Sequence, residues 1–252
     1  MLLEPKRDII YGPVRSRRLG RSLGINILPP KKKVCPFDCV YCQYGWTAWH
    51  SAAIPPTMYF PDRGKVRLAL ETALAGMKEP PAYITFSGNG EPTMHPEFDG
   101  MVEDAAAIRD RLAPSAKTAV LSNSALVSGK STRKSLAKLD KRIMKLDCGS
   151  PETFRRYNRP CPGIELEGIT GGLEKLGDVI IQALFTSGKT GNIETKNIDE
   201  WIERLGRIDP IAVQLYTLDR DYPDKKLAAA TEEDLVRIKE RVEKAGFPAE
   251  VF

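Results

Sequence analysis

The stretch KKKVCPFDCVYCQYG, residues 31–45, places three of the chain's five cysteines within eight positions and ends on an aromatic and a glycine. Cys35, Cys39 and Cys42 are spaced C-x3-C-x2-C, a loop short enough to carry three thiolates to one small metal site. Soft sulfur ligands select zinc or an iron–sulfur cluster. A structural zinc wants a fourth protein ligand, usually from a second C-x2-C pair; none follows, so His50 or Cys148 would have to supply it. A cubane on three protein thiolates instead leaves one iron open to an exogenous molecule.

Working outward, this stretch directly follows the apolar run LGINIL (23–28), and five more such runs come after it. They are AYITF (82–86), TAVL (118–121), IMKLD (143–147), VIIQALF (179–185) and IAVQLYT (211–217). Between them apolar residues recur three to four apart, as in Val66, Leu70, Leu74 and Met77, or Ile198, Trp201, Leu205 and Ile208. Short strands alternating with such helices make βα units, a parallel sheet and right-handed crossovers. Six units in one domain imply an α/β fold, a barrel or a partial (β/α)6 TIM-like barrel. No repeat or low-complexity linker divides the chain, so a basic N-terminal arm (1–22) followed by one barrel domain (23–252) is expected.

In such a barrel the functional groups gather on the loops after the strands. The three cysteines follow the first run, SGNGEPT the second, SNS (122–124) the third and DCGS (147–150) the fourth. Four separate stretches therefore converge on one mouth.

Composition narrows the setting. A hydrophobic fraction of 42% and a charged fraction of 28% are ordinary for a globular protein. No apolar run approaches the roughly 20 residues of a membrane helix, and MLLEPKRDII lacks the apolar core of a secretory signal, so a cytoplasmic protein with no membrane partner is expected. Clustered thiols in a reducing compartment suggest metal or redox chemistry before disulfides. Residues 1–33 hold nine Lys or Arg against Glu4 and Asp8, a local +7 where the whole chain carries +5. Arg15, Arg17, Arg18 and Arg21 are either a rim for an anionic partner such as tRNA or a solvated arm.

With Tyr41 before the last cysteine, the motif resembles that of the radical S-adenosylmethionine superfamily. A second signature, FSGNGEPTMHPEF (86–98), stands after the second strand, where that superfamily carries a Gly-Gly-Glu element; here Asn89 replaces the first glycine. YGPVRSRRLGRSLGINILP, LDCGSPETFRRYNRP and VQLYTLDR extend the resemblance over most of the chain, to the branch related to the four-demethylwyosine (wybutosine) synthases. Those synthases carry further cysteines upstream of the motif, and this chain has none before Cys35.

The resemblance implies a 4Fe-4S cluster on Cys35, Cys39 and Cys42, with S-adenosylmethionine (SAM) chelating the fourth iron. Reductive cleavage would then give a 5′-deoxyadenosyl radical that abstracts hydrogen from substrate, with reduced ferredoxin or flavodoxin as electron donor. It also implies Asn89, Gly90 and Glu91 at the methionyl ammonium, Ser122 and Asn123 at the cofactor's carboxylate or ribose, Asp147 at a ribose hydroxyl and backbone of Tyr41 at the adenine. Ser124 is a further polar candidate, and Gln214 and Tyr216 are candidates for lining the mouth.

Lys145 and Cys148 are the candidate catalytic side chains. Lys145 within a β run points either outward with a solvated tip or inward, where it pairs with a carboxylate or, with its pKa lowered by desolvation, forms a Schiff base. Cys148, with Cys161, is a substrate-proximal thiol, a ligand of a second metal site or a buried apolar residue. The competing functions are a wyosine-type tRNA base modifier and a non-catalytic, zinc-stabilised RNA-binding module.

Overall fold

Strand β1 (Ile10–Ser16) turns back into β2 (Gly20–Ile25) as an antiparallel pair running from Ile10 opposite Ile25 to Ser16 opposite Gly20. The structure is a computed structural model that describes residues 1–54 and 57–252. After β2 come the short parallel strands β3 (Val34–Cys35) and β4 (Trp49–His50), which pair and close the base of the cysteine loop.

The βα units follow: α1 (Arg63–Ala75), β5 (Tyr83–Phe86), α2 (Phe98–Leu112), β6 (Lys117–Ser122), α3 (Lys130–Leu136) and β7 (Lys141–Lys145). Then come α4 (Pro151–Tyr157), α5 (Leu166–Leu176), β8 (Val179–Leu184), β9 (Thr186–Gly188), α6 (Thr195–Ile208), β10 (Ala212–Tyr216), β11 (Leu227–Ala229), α7 (Glu232–Lys244) and β12 (Ala249–Val251). The main sheet runs β1-β2-β5-β6-β7-β8-β10-β12, parallel at every pairing after the first. Its edge strands, β1 and β12, do not pair, so the curved sheet is a partial barrel. β9 and β11 form a separate antiparallel ribbon.

The helices bury the stripes their sequences carry. α1 buries Val66, Leu70 and Leu74; α6 buries Ile198, Trp201, Leu205 and Ile208; α7 buries Leu235, Ile238 and Val242. Residues three and four apart share one helix face, and each such large apolar side chain taken from water contributes about 1.5–3 kcal/mol. Side-chain caps fix several starts: Asp62 accepts from the Lys65 amide at α1, Ser150 from Thr153 at α4, and Thr231 with Asp234 forms a capping box at α7. None of the described helices is long and apolar enough to cross a membrane.

The barrel interior is layered, because alternate residues of each strand face it. At its base Leu19, Ile143 and Ile180 pack together with Tyr83, Leu121 and Ala212 against them. Two residues further along, Lys145, Gln182 and Gln214 stand in register across β7, β8 and β10. The interior thus changes from apolar to polar towards the ends of the strands.

Candidate active site

The cysteine loop is held closed before any ligand is considered. Its two ends meet in the β3–β4 pairing; the Thr47 amide donates to Asp38 Oδ1 at 2.6 Å and the Thr47 hydroxyl to the Phe37 carbonyl at 2.7 Å. Within it, Cys42 N donates to the Cys39 carbonyl and Gly45 N to the Cys42 carbonyl, two successive turns that wind the thiols together. Cys35 and Cys39 are buried and Cys42 is half-buried. Amides point at two of the sulfurs: Phe37 N and Asn123 Nδ2 lie 3.4 and 3.1 Å from Cys35 Sγ, and Asn158 Nδ2 lies 3.4 Å from Cys39 Sγ.

Lys33 completes this environment, and sequence reading had not singled it out. It is 5% exposed, and its ammonium donates to the Gly45 carbonyl at 3.0 Å. Burial pushes its pKa down, but Cys42, Cys35 and Cys39 in their thiolate form push it up by more. Burial conversely holds the free thiols of Cys35 and Cys39 protonated, Cys39 being pushed up to about 11.

This donor set fits a cluster. N–H donors to sulfur and a buried cation are what stabilise thiolates that share negative charge with iron and sulfide. The fourth ligand a structural zinc would need is not supplied by either candidate: His50 Nε2 is 2.9 Å from the Arg159 carbonyl, and the Cys148 thiol is hydrogen-bonded to Asn158 Oδ1 at 3.4 Å. In a cubane each thiolate takes its own iron, so three thiols need not converge on one point. Among the described residues no three His, Cys, Asp or Glu side chains do converge in that way.

The loop after β5 packs directly on the cysteine loop. Val34 N donates to the Asn89 carbonyl at 2.8 Å, and Glu91 N donates to the Val34 carbonyl at 3.1 Å. Gly90 sits between them at φ +135°, and a Cβ there would stand 1.8 Å from the Val34 oxygen. The glycine is required by the approach of Val34, whatever else it meets. The Asn89 side chain accepts from Lys6 N and donates to the carbonyls of Lys6 and Pro29, tying the N-terminal segment to this loop.

Glu91 is fully buried and heavily engaged. Its Oε1 accepts from Thr93 N, Thr93 Oγ1 and Ser122 Oγ, and its Oε2 from Asn123 N at 2.6 Å. Burial raises the carboxyl's pKa; the four hydrogen bonds oppose this without cancelling it. Glu91 thereby joins the β5 and β6 loops, and Ser122 and Asn123 are bound to it. Asn123 also reaches Cys35 through Nδ2, while Ser124, at φ 67°, donates from its hydroxyl to the Lys145 carbonyl.

On the other side of the mouth Asp147, 2% exposed, is a hub. It accepts from the Tyr41 hydroxyl, from Asn158 Nδ2 at 2.8 Å and from Leu184 N at 2.9 Å, and Lys145 Nζ lies 3.7 Å away. Lys145 therefore points inward, and the alternative of a solvated tip does not hold. Burial pushes its ammonium down, but Asp147 and Tyr216 outweigh this and hold its pKa above the ordinary lysine value. The desolvation-lowered pKa on which a Schiff-base role depended is absent. Lys145 donates to the Tyr216 hydroxyl and sits 5.0 Å from the ring centroids of both Tyr41 and Tyr216.

Cys148 is wholly buried, and burial keeps its thiol protonated well above the usual range. The residue that sequence reading missed here is Asn158, which contacts Cys39, Tyr41, Asp147 and Cys148. Its signal in the sequence is its place in LDCGSPETFRRYNRP, the stretch that also carries Asp147 and Cys148. A void of about 10 Å³, room for a single water, is lined by Phe37, Asn123, Lys145, Asp147 and Asn158 among others.

The arginines of the N-terminal stretch diverge. Arg17 pairs with Asp219 at 3.0 Å and Arg21 with Glu79 at 3.1 Å, both on the surface, while Arg18 turns onto the Tyr216 ring with Cζ 4.7 Å from its centroid.

A partial parallel barrel with three thiols, amide donors to sulfur and a Gly-Glu loop at its mouth is the framework of an enzyme that uses a 4Fe-4S cluster and SAM. The chain belongs to the radical SAM superfamily, whose family model matches residues 32–188. It is 33% identical to a UPF0026 protein of Synechocystis over 219 residues, 85% of this chain and 77% of that protein. It is 29% identical over 96% of its length to a protein named GTPase Obg from Brachyspira hyodysenteriae, but spans only 34% of that protein. Among solved structures, TYW1 with a lysine–pyruvate adduct bound has the same fold, with a TM-score of 0.62 at 17% identity over 89% of this chain and 73% of that one.

Proposed function

We propose that Cys35, Cys39 and Cys42 are the protein ligands of the cluster, and that the enzyme abstracts hydrogen from a substrate held inside the barrel between that cluster and β7, β8 and β10. The observation that carries this reading is the conjunction of amide donors on Cys35 and Cys39 with the buried Lys33 ammonium, all at the strand ends where the 86–98 loop also lies. A 4Fe-4S cluster held by Cys35, Cys39 and Cys42 would supply the electron for reductive cleavage of SAM.

The chain's residues position the partners of that chemistry. Glu91, Ser122 and Asn123 fix the two loops that face the cofactor, and the free lone pair of Glu91 Oε2 remains for the methionyl ammonium. Tyr41 anchors the cluster loop to Asp147. Lys145 serves as a fixed cation beside the substrate, a role its ion pair with Asp147 supports better than Schiff-base formation. A ferredoxin or flavodoxin fits as reductant. With Arg17 and Arg21 held in surface ion pairs, no observation favours a wyosine-type tRNA substrate over a smaller one.

The test is anaerobic. After reconstitution with iron and sulfide, the wild type under dithionite should release 5′-deoxyadenosine from SAM, and Cys39→Ala should not. Equal release by the two proteins would sink the assignment.

A further inference from the structure

The barrel interior contains a set of polar atoms that the radical chemistry does not use. Three of the four buried side-chain nitrogen or oxygen atoms without a hydrogen-bond partner among the described residues are Arg18 Nη1, Gln182 Nε2 and Gln214 Oε1. Gln182, Gln214 and Lys145 are in register on adjacent strands, and Arg18, from the β1–β2 turn, lies over the ring of Tyr216, two residues beyond Gln214 on the same strand. Unpaired buried donors are rare because each forfeits its hydration for nothing, so a concentration of them in one layer marks a missing ligand.

The hydrogen-bond directions are fixed. The Lys145 ammonium can only donate, so Tyr216 accepts from it and must use its own proton elsewhere. That proton goes to Gln182 Oε1, 3.2 Å away. The relay settles the orientation of the Gln182 amide and leaves its Nε2 hydrogens facing the interior, in a residue only 6% exposed. Arg18 and Lys145 flank the same Tyr216 ring, 4.7 and 5.0 Å from its centroid. Among the described residues, Asp147 is the carboxylate that answers them, through Lys145, which leaves one positive charge uncompensated.

We propose that Arg18, Lys145, Gln182 and Gln214 form the substrate subsite, and that it takes a small-molecule monocarboxylate with a hydrogen-bond donor next to the carboxylate. One uncompensated positive charge matches a monoanion; a phosphate dianion would put surplus negative charge beside Asp147. Arg18 Nη1 and Gln182 Nε2 supply donors to the carboxylate oxygens, and Gln214 Oε1 accepts from a neighbouring hydroxyl or amine. The subsite lies on β7, β8 and β10, away from the β5 and β6 loops read above as facing the cofactor. It gives the radical reading its substrate class, and so rests on that reading.

Carboxylate binding is measured on the reconstituted holoprotein with SAM present, by saturation-transfer NMR with glycolate, its neutral counterpart glycolamide, and inorganic phosphate as probes. Glycolate should bind and glycolamide should not. Arg18→Gln and Gln182→Glu should each weaken glycolate at least about tenfold, as loss of a charge-assisted hydrogen bond or insertion of a like charge demands. Arg18→Lys, which keeps the charge, should recover part of the affinity. Iron content and thermal midpoint identify a variant that has merely unfolded, and Arg18→Lys then carries the comparison. Equal binding of glycolate and glycolamide, preference for phosphate, or unaltered glycolate affinity in Gln182→Glu would each overturn the subsite. The radical reading fails separately, if the wild type yields no 5′-deoxyadenosine with dithionite alone.

Discussion

Replacing Gly90 by alanine should unseat the first cluster cysteine without touching it. The added Cβ would lie 1.8 Å from the Val34 carbonyl oxygen, where contacts under 3.0 Å are essentially never seen, so β3 and the loop after β5 must part by at least 1.2 Å. The bridge between them consists of Val34 N to the Asn89 carbonyl at 2.8 Å and Glu91 N to the Val34 carbonyl at 3.1 Å, and neither bond survives that displacement. Two backbone hydrogen bonds contribute about 0.5–1.5 kcal/mol each, and a non-glycine residue at φ +135° costs about 1–3 kcal/mol. The apoprotein should therefore lose roughly 2–6 kcal/mol in urea unfolding. Because Val34 immediately precedes Cys35, iron and sulfide after reconstitution should fall well below wild type. Gly206→Ala is the control: nothing stands within 4 Å of its Cβ position in α6, and it should stabilise by about 0.4–1 kcal/mol. A Gly90→Ala protein with the wild-type unfolding midpoint and a full cluster would refute the argument.

Two further outcomes follow from the buried cations. Lys145→Met leaves Asp147 buried without its cation and should lose about 3–5 kcal/mol of stability at neutral pH. Since the folded state raises the Lys145 pKa, that contribution is fully present below the unfolded value of about 10.4 and fades as pH climbs past it, so urea midpoints of wild type and variant should converge at strongly alkaline pH; a gap that widens instead has the wrong sign. Lys33→Gln removes a positive charge beside the thiols and should lower the cluster's midpoint potential by some tens of millivolts, on the order expected for electrostatic tuning, in an EPR-monitored redox titration; an unchanged potential would mean the charge is not felt.

The sequence made the parallel strands visible because each is a short apolar run between helical stripes: β5, β6, β8 and β10 match their runs, while β2 and β7 overlap theirs but begin and end two to three residues earlier. It concealed β1, whose IYGPVRS carries a proline and an arginine, since an edge strand facing solvent has no hydrophobic run to show. It concealed α5, whose LEGITGGLEKL holds three glycines and reads locally as a breaker although packing makes it helical. β12 is three residues long and finds its only strand partner among the described residues in β10.

The orientation of Lys145 is the more instructive case, because it was available from the sequence. Side chains two apart in extended chain share a face, and the sequence places Asp147 at the mouth, two residues beyond Lys145. An inward Asp147 thus implies an inward Lys145, and reading the lysine alone, by the general preference of charged tips for water, gave the weaker argument. The same carboxylate explains the aromatic in the cysteine motif. Tyr41 comes from the cluster loop, Asn158 from the end of α4, Leu184 from β8 and Lys145 from β7, and all four converge on Asp147. One buried anion therefore fixes the cluster loop against the strands that hold the proposed subsite. Tyr41 and Lys145 pack around that one carboxylate, so on the proposed reading the cysteine loop and the subsite cannot be moved apart without breaking the hub.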